Sequence, residues 1–295
     1  MDEFSDEIGR FGIRFKRDVP GKSLTTFGSG GKVRYLAFPR NAEELHKVLS
    51  AAKSASMPYR VIGGGSNVLL SDRGYDGVLI RLSAMDRVER SGETLTVGAG
   101  VKMPVLARHL AECGLSGAEF ACGIPGTMGG AAAVNAGAFG QSVSDLLVGI
   151  TALTAEGRSE RFDPRELDYG YHRAVLPSET ILLSMTLRLT ESDRDTIFAR
   201  MEEMREKRRR TQPKDPSAGS VFRRVGLVPA ALYVERTGLK GMRIGGALLS
   251  PVHCNFIVNA GGATTEDYFA LAEKVREKVK AQDGALLEYE VERIC

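Results

Sequence analysis

Two glycine clusters constrain this chain more than any other feature. The first is Gly63-Gly64-Gly65-Ser66-Asn67, directly after an apolar run from Tyr59 to Ile62; the second is Gly123-Ile124-Pro125-Gly126-Thr127-Met128-Gly129-Gly130, which leads into AAAVNAGAFG. Glycine reaches positive φ without a Cβ clash and lets successive peptide N–H groups converge on an anion, which is the physics of a diphosphate nest. Two such loops in one chain predict a large phosphate-bearing cofactor; the plainer reading is that these glycines only make tight turns. Neither loop has the strand, G-x-G-x-x-G and helix order of a Rossmann turn, because GGGSN runs into a further apolar run, VLLSD. Gly21-Lys22-Ser23 has the ending of a Walker A loop, but the glycine required five residues before Gly21 is Lys16.

Around these loops the pattern mixes strands and helices without regular βαβ alternation, which predicts an α+β fold. A helix is expected over 41–57, with Asn41 as its cap, Glu44 at the capping-box position and Pro58 as its stop. Strands are expected at 59–62, 78–82 and 94–100, and a helix from Pro104 to Gly114. Residues 192–210 read as a polar helix closed by TQPKDPSAGS, a domain junction, with the main boundary near residue 200. A last helix starts at Thr264 and carries Tyr268, Leu271, Ala272, Val275 and Val279 on one face, and LLEYEVERI closes the chain as a strand at 286–294.

Composition narrows the class. With 295 residues, 43% apolar and 26% charged, the chain has the make-up of a folded, water-soluble protein of more than one unit. Its start, MDEFSDEIGR, lacks the basic and apolar parts of a secretory signal, and no run approaches the roughly 18 apolar residues of a membrane span, so a cytoplasmic protein without membrane insertion is expected. Cys113, Cys122, Cys254 and Cys295 are scattered, which points to reduced thiols. His46, His109, His172 and His253 show no paired spacing, and no metal is expected. A net charge of +3 suits an anionic small substrate and argues against nucleic acid. The basic run Arg205, Lys207, Arg208, Arg209 and Arg210 reads as a solvated helix end whose cations meet the negative pole of the dipole, the alternative being attraction of a diphosphate.

Taken together, TTFGSGGKVRYLAFP at 25–39, RVIGGGSNVLLSDRGYDGVLIRL at 60–82, EFACGIPGTMGGAAAVNAGAFG at 119–140, PSAGSVFRR at 216–224, GLKGMRIGGALLSPVHCNFIVN at 238–259 and LLEYEVERI at 286–294 resemble the UDP-N-acetylenolpyruvoylglucosamine reductase family, in family order and over most of the chain. The resemblance is to the family's shorter type. It implies a vanillyl-alcohol-oxidase or PCMH-type FAD-binding fold in two subdomains, with a C-terminal α+β substrate domain. The implied division is an N-terminal extension at 1–20, an FAD-binding domain at 21–195 with subdomains at about 21–82 and 83–195, and a substrate domain at 205–295. It further implies FAD held non-covalently, with the pyrophosphate near Gly63, Gly64, Gly65, Ser66 and Asn67. Further contacts would come from Gly123, Ile124, Pro125, Gly126, Thr127, Gly129, Gly130, Asn135 and Gly137.

The implied reaction reduces the enolpyruvyl ether of UDP-N-acetylglucosamine to a lactyl ether, with NADPH as reductant, and leaves an enolate that must be stabilised and protonated. Ser220 matches the family's proton-donor serine; without the resemblance it reads as a loop serine bonding its own backbone. Glu290 matches the active-site glutamate, and family register alone separates it from Glu288 and Glu292, which share its face at period two. A neutral carboxyl there could donate to the oxyanion, whereas a bare carboxylate would oppose it. The family's arginine falls at His172 when Tyr169-Gly170-Tyr171-His172-Arg173-Ala174 is read without a gap, and at Arg173 with a shift of one residue. Arg173 is the preferred candidate, because a guanidinium is always charged and binds a carboxylate as a fork. Arg224-Val225 stands where the family has Asn-Pro, and Cys122 where it often has serine. Lys240, Arg243, His253 and Asn255 are the candidate contacts for the UDP sugar, each with a surface or capping role as its alternative. A monomer or weak oligomer is expected. Two other functions remain open: a catalytically silent UDP-sugar-binding relative, and a different FAD oxidase of the same superfold.

Overall fold

The computed structural model describes residues 2–92, 94–170 and 173–295. The chain divides into two compact units that are not contiguous in sequence. The first comprises residues 1–16, 35–64 and 77–208, and the second 17–34, 65–76 and 209–295. Each unit encloses a hydrophobic core of its own. By compactness 21–34 and 65–76 group with the C-terminal segment rather than with the rest of 21–195, and Val68–Leu70 pairs there with Glu292–Ile294. Thr265 donates its hydroxyl to the Leu70 carbonyl at 2.7 Å, and Asp72 accepts from the Thr265 and Glu266 amides at 3.0 and 2.9 Å.

The first unit is built on a five-stranded antiparallel sheet in the order Ser159–Phe162, Leu147–Leu153, Ile181–Arg188, Thr94–Gly98 and Val88–Ser91. Leu147–Leu153 is buried at every position except Val148 and Thr151, and register shifts against Ile181–Arg188 on either side of Gly149 to Thr151 interrupt strict period-two alternation. In the same unit Tyr59–Ile62 runs parallel to the Val78 to Arg81 part of Tyr75–Arg81. Its helix Ala42–Ser54 begins where expected: the Asn41 side chain accepts the Glu44 amide at 2.9 Å. The Glu44 carboxylate reaches past the cap to the Arg40 amide at 2.9 Å and ion-pairs the Arg40 guanidinium, so the expected capping box is displaced by one residue.

The second unit places the antiparallel strands Ser217–Ser220, Phe256–Asn259, Ala247–Leu249 and Arg243–Ile244 in that order, with the helix Thr265–Asp283 packed on them. Thr264 and Asp267 form the capping box of that helix, and Tyr268, Leu271, Ala272, Val275 and Val279 are all buried, as the 3.6-residue period requires. The strand expected over 286–294 is only Glu292–Ile294, paired in parallel with Val68–Leu70. Before it, Tyr289 makes an isolated bridge to Phe222, so the segment changes partner midway and cannot continue one ladder.

Candidate active site

The two glycine loops differ in how they use their peptide groups. In the second loop most donors are spent inside the unit. The amides of Met128 and Gly129 donate to the Val101 and Ala99 carbonyls at 2.8 and 2.9 Å, Ile124 donates to Ala121, and Gly130 donates to the Thr127 hydroxyl. In the first loop the amides of Gly63, Gly64, Gly65 and Asn67 donate to nothing among the described residues. Four N–H groups in one pentapeptide are thus left uncommitted by the described residues, and a set of free peptide donors is what an anion nest needs.

The loops meet where glycine is obligatory. A Cβ on Gly64 would lie 2.7 Å from the Gly126 Cα, and one on Gly63 would lie 2.9 Å from the Thr127 hydroxyl. Gly126 itself sits at φ +125°, a region closed to side chains. Beside them is a cavity of about 220 Å3 whose lining includes Val61, Gly63, Arg81, Ala99, Gly129 and Leu182. Burial lowers the Arg81 pKa. The cavity is smaller than the roughly 300–1,000 Å3 that encloses a whole drug-sized ligand. An uncommitted N–H set for phosphates, a side-chain-free contact between loops and an apolar cavity for a ring are what a flavin dinucleotide requires, and the residues present fit that group.

Asn135 and Gly137, candidates for the same cofactor, serve the unit's own fold. The buried Asn135 side chain donates to the Gly170 carbonyl at 2.7 Å and accepts the Ser144 amide at 2.9 Å. A Cβ on Gly137 would lie 2.6 Å from the Gln141 carbonyl oxygen in the adjoining turn.

Ser220 and Glu290 are brought together in the second unit. Ser217–Ser220 pairs with Phe256–Asn259 as Ser217 to Val258 and Ser220 to Phe256, so one extra residue is bulged out between them. Gly219 supplies the bulge at φ +77°, re-aiming Ser220 out of strand alternation. The next carbonyl, of Val221, accepts the Glu290 amide at 2.9 Å, and the following residue bridges to Tyr289. Glu290 is half-buried whereas Glu288 and Glu292 are exposed, so the three do not share one environment as period two predicts. Chain pairing now separates them physically.

Asn255 is buried, and its side chain is already committed: it accepts the Phe222 amide at 3.1 Å and donates to the Phe222 carbonyl at 2.9 Å. It braces the Ser220-to-Phe222 segment rather than pointing an amide outward. His253 is half-buried against Phe256, its Nδ1 accepts the Asn255 amide at 3.2 Å, and burial lowers its pKa. Lys240 ion-pairs with Glu235. Arg243 is exposed at the start of its strand. The Arg173 backbone opens the strand Arg173–Val175, paired with Asp168–Gly170; its side chain and the whole of His172 lie outside the described residues. Among the described residues, no group of three or more His, Cys, Asp or Glu side chains could hold a metal, and no helix is long and apolar enough to cross a membrane.

Comparison with known proteins decides the family. A family model described as FAD binding domain matches residues 33–163, and one described as UDP-N-acetylenolpyruvoylglucosamine reductase, C-terminal domain, matches 212–294. The UDP-N-acetylenolpyruvoylglucosamine reductase of Bacillus velezensis is 40% identical over 93% of this chain and 92% of its own. The chain belongs to the UDP-N-acetylenolpyruvoylglucosamine reductase family. The reductase of Caldicellulosiruptor bescii is 38% identical over 99% of this chain and 94% of its own. The crystal structure of the Thermus caldophilus reductase superposes with a TM-score of 0.84 at 34% identity, covering 96% of this chain and 100% of that one. A berberine bridge enzyme variant, at 18% identity and a TM-score of 0.50 over 65% of this chain and 44% of its own, shows only that the FAD-oxidase fold is shared.

For a reductase of this family, three features of the site escaped the sequence reading. Arg81 lay unremarked in an apolar strand, although an arginine inside VLIRL was the available signal. Arg208 departs from the solvated helix end expected of its basic run: it is half-buried, burial lowers its pKa, and its Cδ would lie 2.5 Å from a Cβ on Gly123. Thr26 donates its hydroxyl to the Ser217 carbonyl at 2.6 Å, anchoring the start of the bulged strand, a long-range contact with no local signature.

Proposed function

We propose that this chain reduces UDP-N-acetylglucosamine enolpyruvate to UDP-N-acetylmuramate in peptidoglycan precursor synthesis, in the cytoplasm, with NADPH as reductant and non-covalently held FAD. The observation that carries the reading is the Val221–Glu290 hydrogen bond at 2.9 Å, which sets the family's two catalytic candidates on neighbouring chain segments. FAD, when bound, supplies the hydride chemistry that saturates the vinyl ether.

The amides of Gly63, Gly64, Gly65 and Asn67 are the groups proposed to hold the cofactor's diphosphate, with Gly126, Gly129 and Gly130 providing room. Saturating the vinyl carbon leaves an enolate on the substrate, conjugated to its carboxylate. Ser220 Oγ–H delivers the proton to that enolate carbon; a hydroxyl is a weak acid, but it suffices when held in place against a basic carbanion. The bulge at Gly219 and the Asn255 brace hold Ser220 in place, so little reorganisation accompanies the transfer. Glu290 acts on the same developing charge. Arg173 is assigned to the substrate carboxylate and Lys240, Arg243 and His253 to the UDP sugar; the chain acts as a monomer or weak oligomer.

The test is NADPH oxidation by the purified flavin-loaded protein on addition of the enolpyruvyl substrate, with a product two hydrogens heavier by mass. A flavin-loaded protein that binds the substrate without turnover would instead be a silent relative. Flavin that stays attached after acid denaturation would point to a covalent FAD oxidase.

A further inference from the structure

The contact between Asn67 and the Glu290 segment departs from ordinary sheet pairing in an informative way. Val68–Leu70 and Glu292–Ile294 run parallel in the register Val68 to Glu292, Leu69 to Arg293 and Leu70 to Ile294. In a parallel ladder every second residue donates its N–H to the residue before its partner and accepts from the residue after it, and the bond from the Ser71 amide to the Ile294 carbonyl puts Asn67, Leu69 and Ser71 in that set. One step back, Asn67 stands opposite Val291. Its carbonyl should accept the Glu292 amide, and its own amide should donate to the Glu290 carbonyl. The first bond is present at 3.0 Å. The second is made by the wrong group: the Asn67 side-chain Nδ2 donates to the Glu290 carbonyl, also at 3.0 Å.

The side chain has therefore taken the place of its own peptide in the ladder. Glu290 remains held at both ends of its peptide unit, its amide on Val221 and its carbonyl on Asn67. The Asn67 amide, displaced from the ladder, donates to nothing among the described residues. Few side chains could do this. Aspartate has no donor, serine is too short to span from one strand to the next, and glutamine places its amide one methylene too far.

We propose that Asn67 is a positioning residue that serves Glu290 with its side chain and thereby frees its peptide N–H for the cofactor's diphosphate. The proposal rests on the reading of Gly63 to Asn67 as the diphosphate cradle. It makes cofactor binding and the placement of Glu290 compatible in the wild type. Without the side-chain amide, one N–H must serve both, and the two functions compete. By linkage, FAD then loosens the Glu290 segment, and the segment's ladder weakens FAD.

The experiment is an FAD titration of the full chain and of Asn67→Ala. Hydrogen exchange of the peptide spanning Glu288 to Glu292 is followed with and without FAD, and kcat and KM are measured at saturating FAD. Asn67→Ala is expected to bind FAD about tenfold more weakly, the factor associated with one hydrogen bond to a charged group. Its Glu288-to-Glu292 peptide should exchange faster once FAD is bound, an effect absent from the wild type. At saturating FAD its kcat should fall about tenfold while the substrate KM stays within a factor of about three, because the loss falls on the reacting state. Asn67→Gln, which keeps an amide one methylene out of place, should lie between the two and guards against misfolding of the alanine variant. An Asn67→Ala protein that matches wild type in affinity, exchange and kcat overturns the proposal and leaves the cradle standing. A Gln variant equal to wild type in all three overturns the reach argument on which it depends. A wild type that does not bind FAD overturns both the cradle and this inference.

Discussion

The two glycine loops look alike as sequence and work differently as structure. Gly63 to Asn67 keeps four of its peptide donors uncommitted, whereas Gly123 to Gly130 spends those of Ile124, Met128, Gly129 and Gly130 on the chain itself. The first loop offers hydrogen bonds; the second offers the absence of side chains, so that Gly126 can approach Gly64 and Gly129 can pack on Ala99. Glycine enrichment thus accompanies two separate conditions, uncommitted donors and close approach, and only the hydrogen-bond inventory tells them apart.

The contrast can be broken most severely at the catalytic step that depends on both loops being filled. Ser220→Ala should retain FAD and lose roughly 10^2- to 10^4-fold in kcat, the usual worth of a positioned proton donor, as read in the NADPH assay. Next in size is Gly65→Ala, whose Cβ would lie 1.9 Å from the Leu24 carbonyl oxygen at a φ of +76°. Overpacking and left-handed strain together should cost about 2–5 kcal/mol in urea unfolding. Gly129→Ala, with a Cβ 2.7 Å from that of Ala99, should cost about 1–3 kcal/mol through overpacking. If the second loop acts by close approach within the chain, that cost should appear in the apoprotein as well; a variant that destabilises only the FAD-bound form would show that Gly129 makes room for the cofactor rather than for Ala99.

Smaller effects sharpen the second unit's share. Asn255→Ala strips both hydrogen bonds from Phe222 and should cost about 1–3 kcal/mol. His253 contributes a pH dependence with a definite sign. Burial holds its folded-state pKa below the ordinary 6.5, so the unfolded chain takes up the proton first. Stability is then undiminished above 6.5 and declines as pH falls below it, because protonating Nδ1 also breaks its bond from the Asn255 amide. His253→Gln should flatten that decline; an unchanged slope of unfolding free energy between pH 5 and about 6.5 would remove His253 from the account.

What could be read in advance follows from the range of each interaction. Asn41, Thr264 and the buried face of Thr265–Asp283 depend on neighbours within a turn, and their caps and periods are visible in the letters. Gly64 and Gly126 were legible because a missing side chain is itself a letter. Asn67, Asn135 and Asn255 all looked like ligand contacts, yet each side chain is spent on the main chain of a segment distant in sequence. The closing strand was over-extended for the same reason: residues 289 and 290 pair with Phe222 and Val221, while 292 to 294 pair with Val68–Leu70. Ser220 needed the bulge at Gly219, a matter of register that no local pattern carries.

The most direct measurement is a single turnover. The flavin of the purified protein is reduced with NADPH in the absence of oxygen, mixed with UDP-N-acetylglucosamine enolpyruvate, and followed by its visible absorption in the wild type and in Ser220→Ala. The account predicts rapid reoxidation in the wild type and reoxidation slowed by at least about 10^2-fold in the variant at saturating substrate. Reoxidation of Ser220→Ala at the wild-type rate, with the saturated product formed, would contradict it.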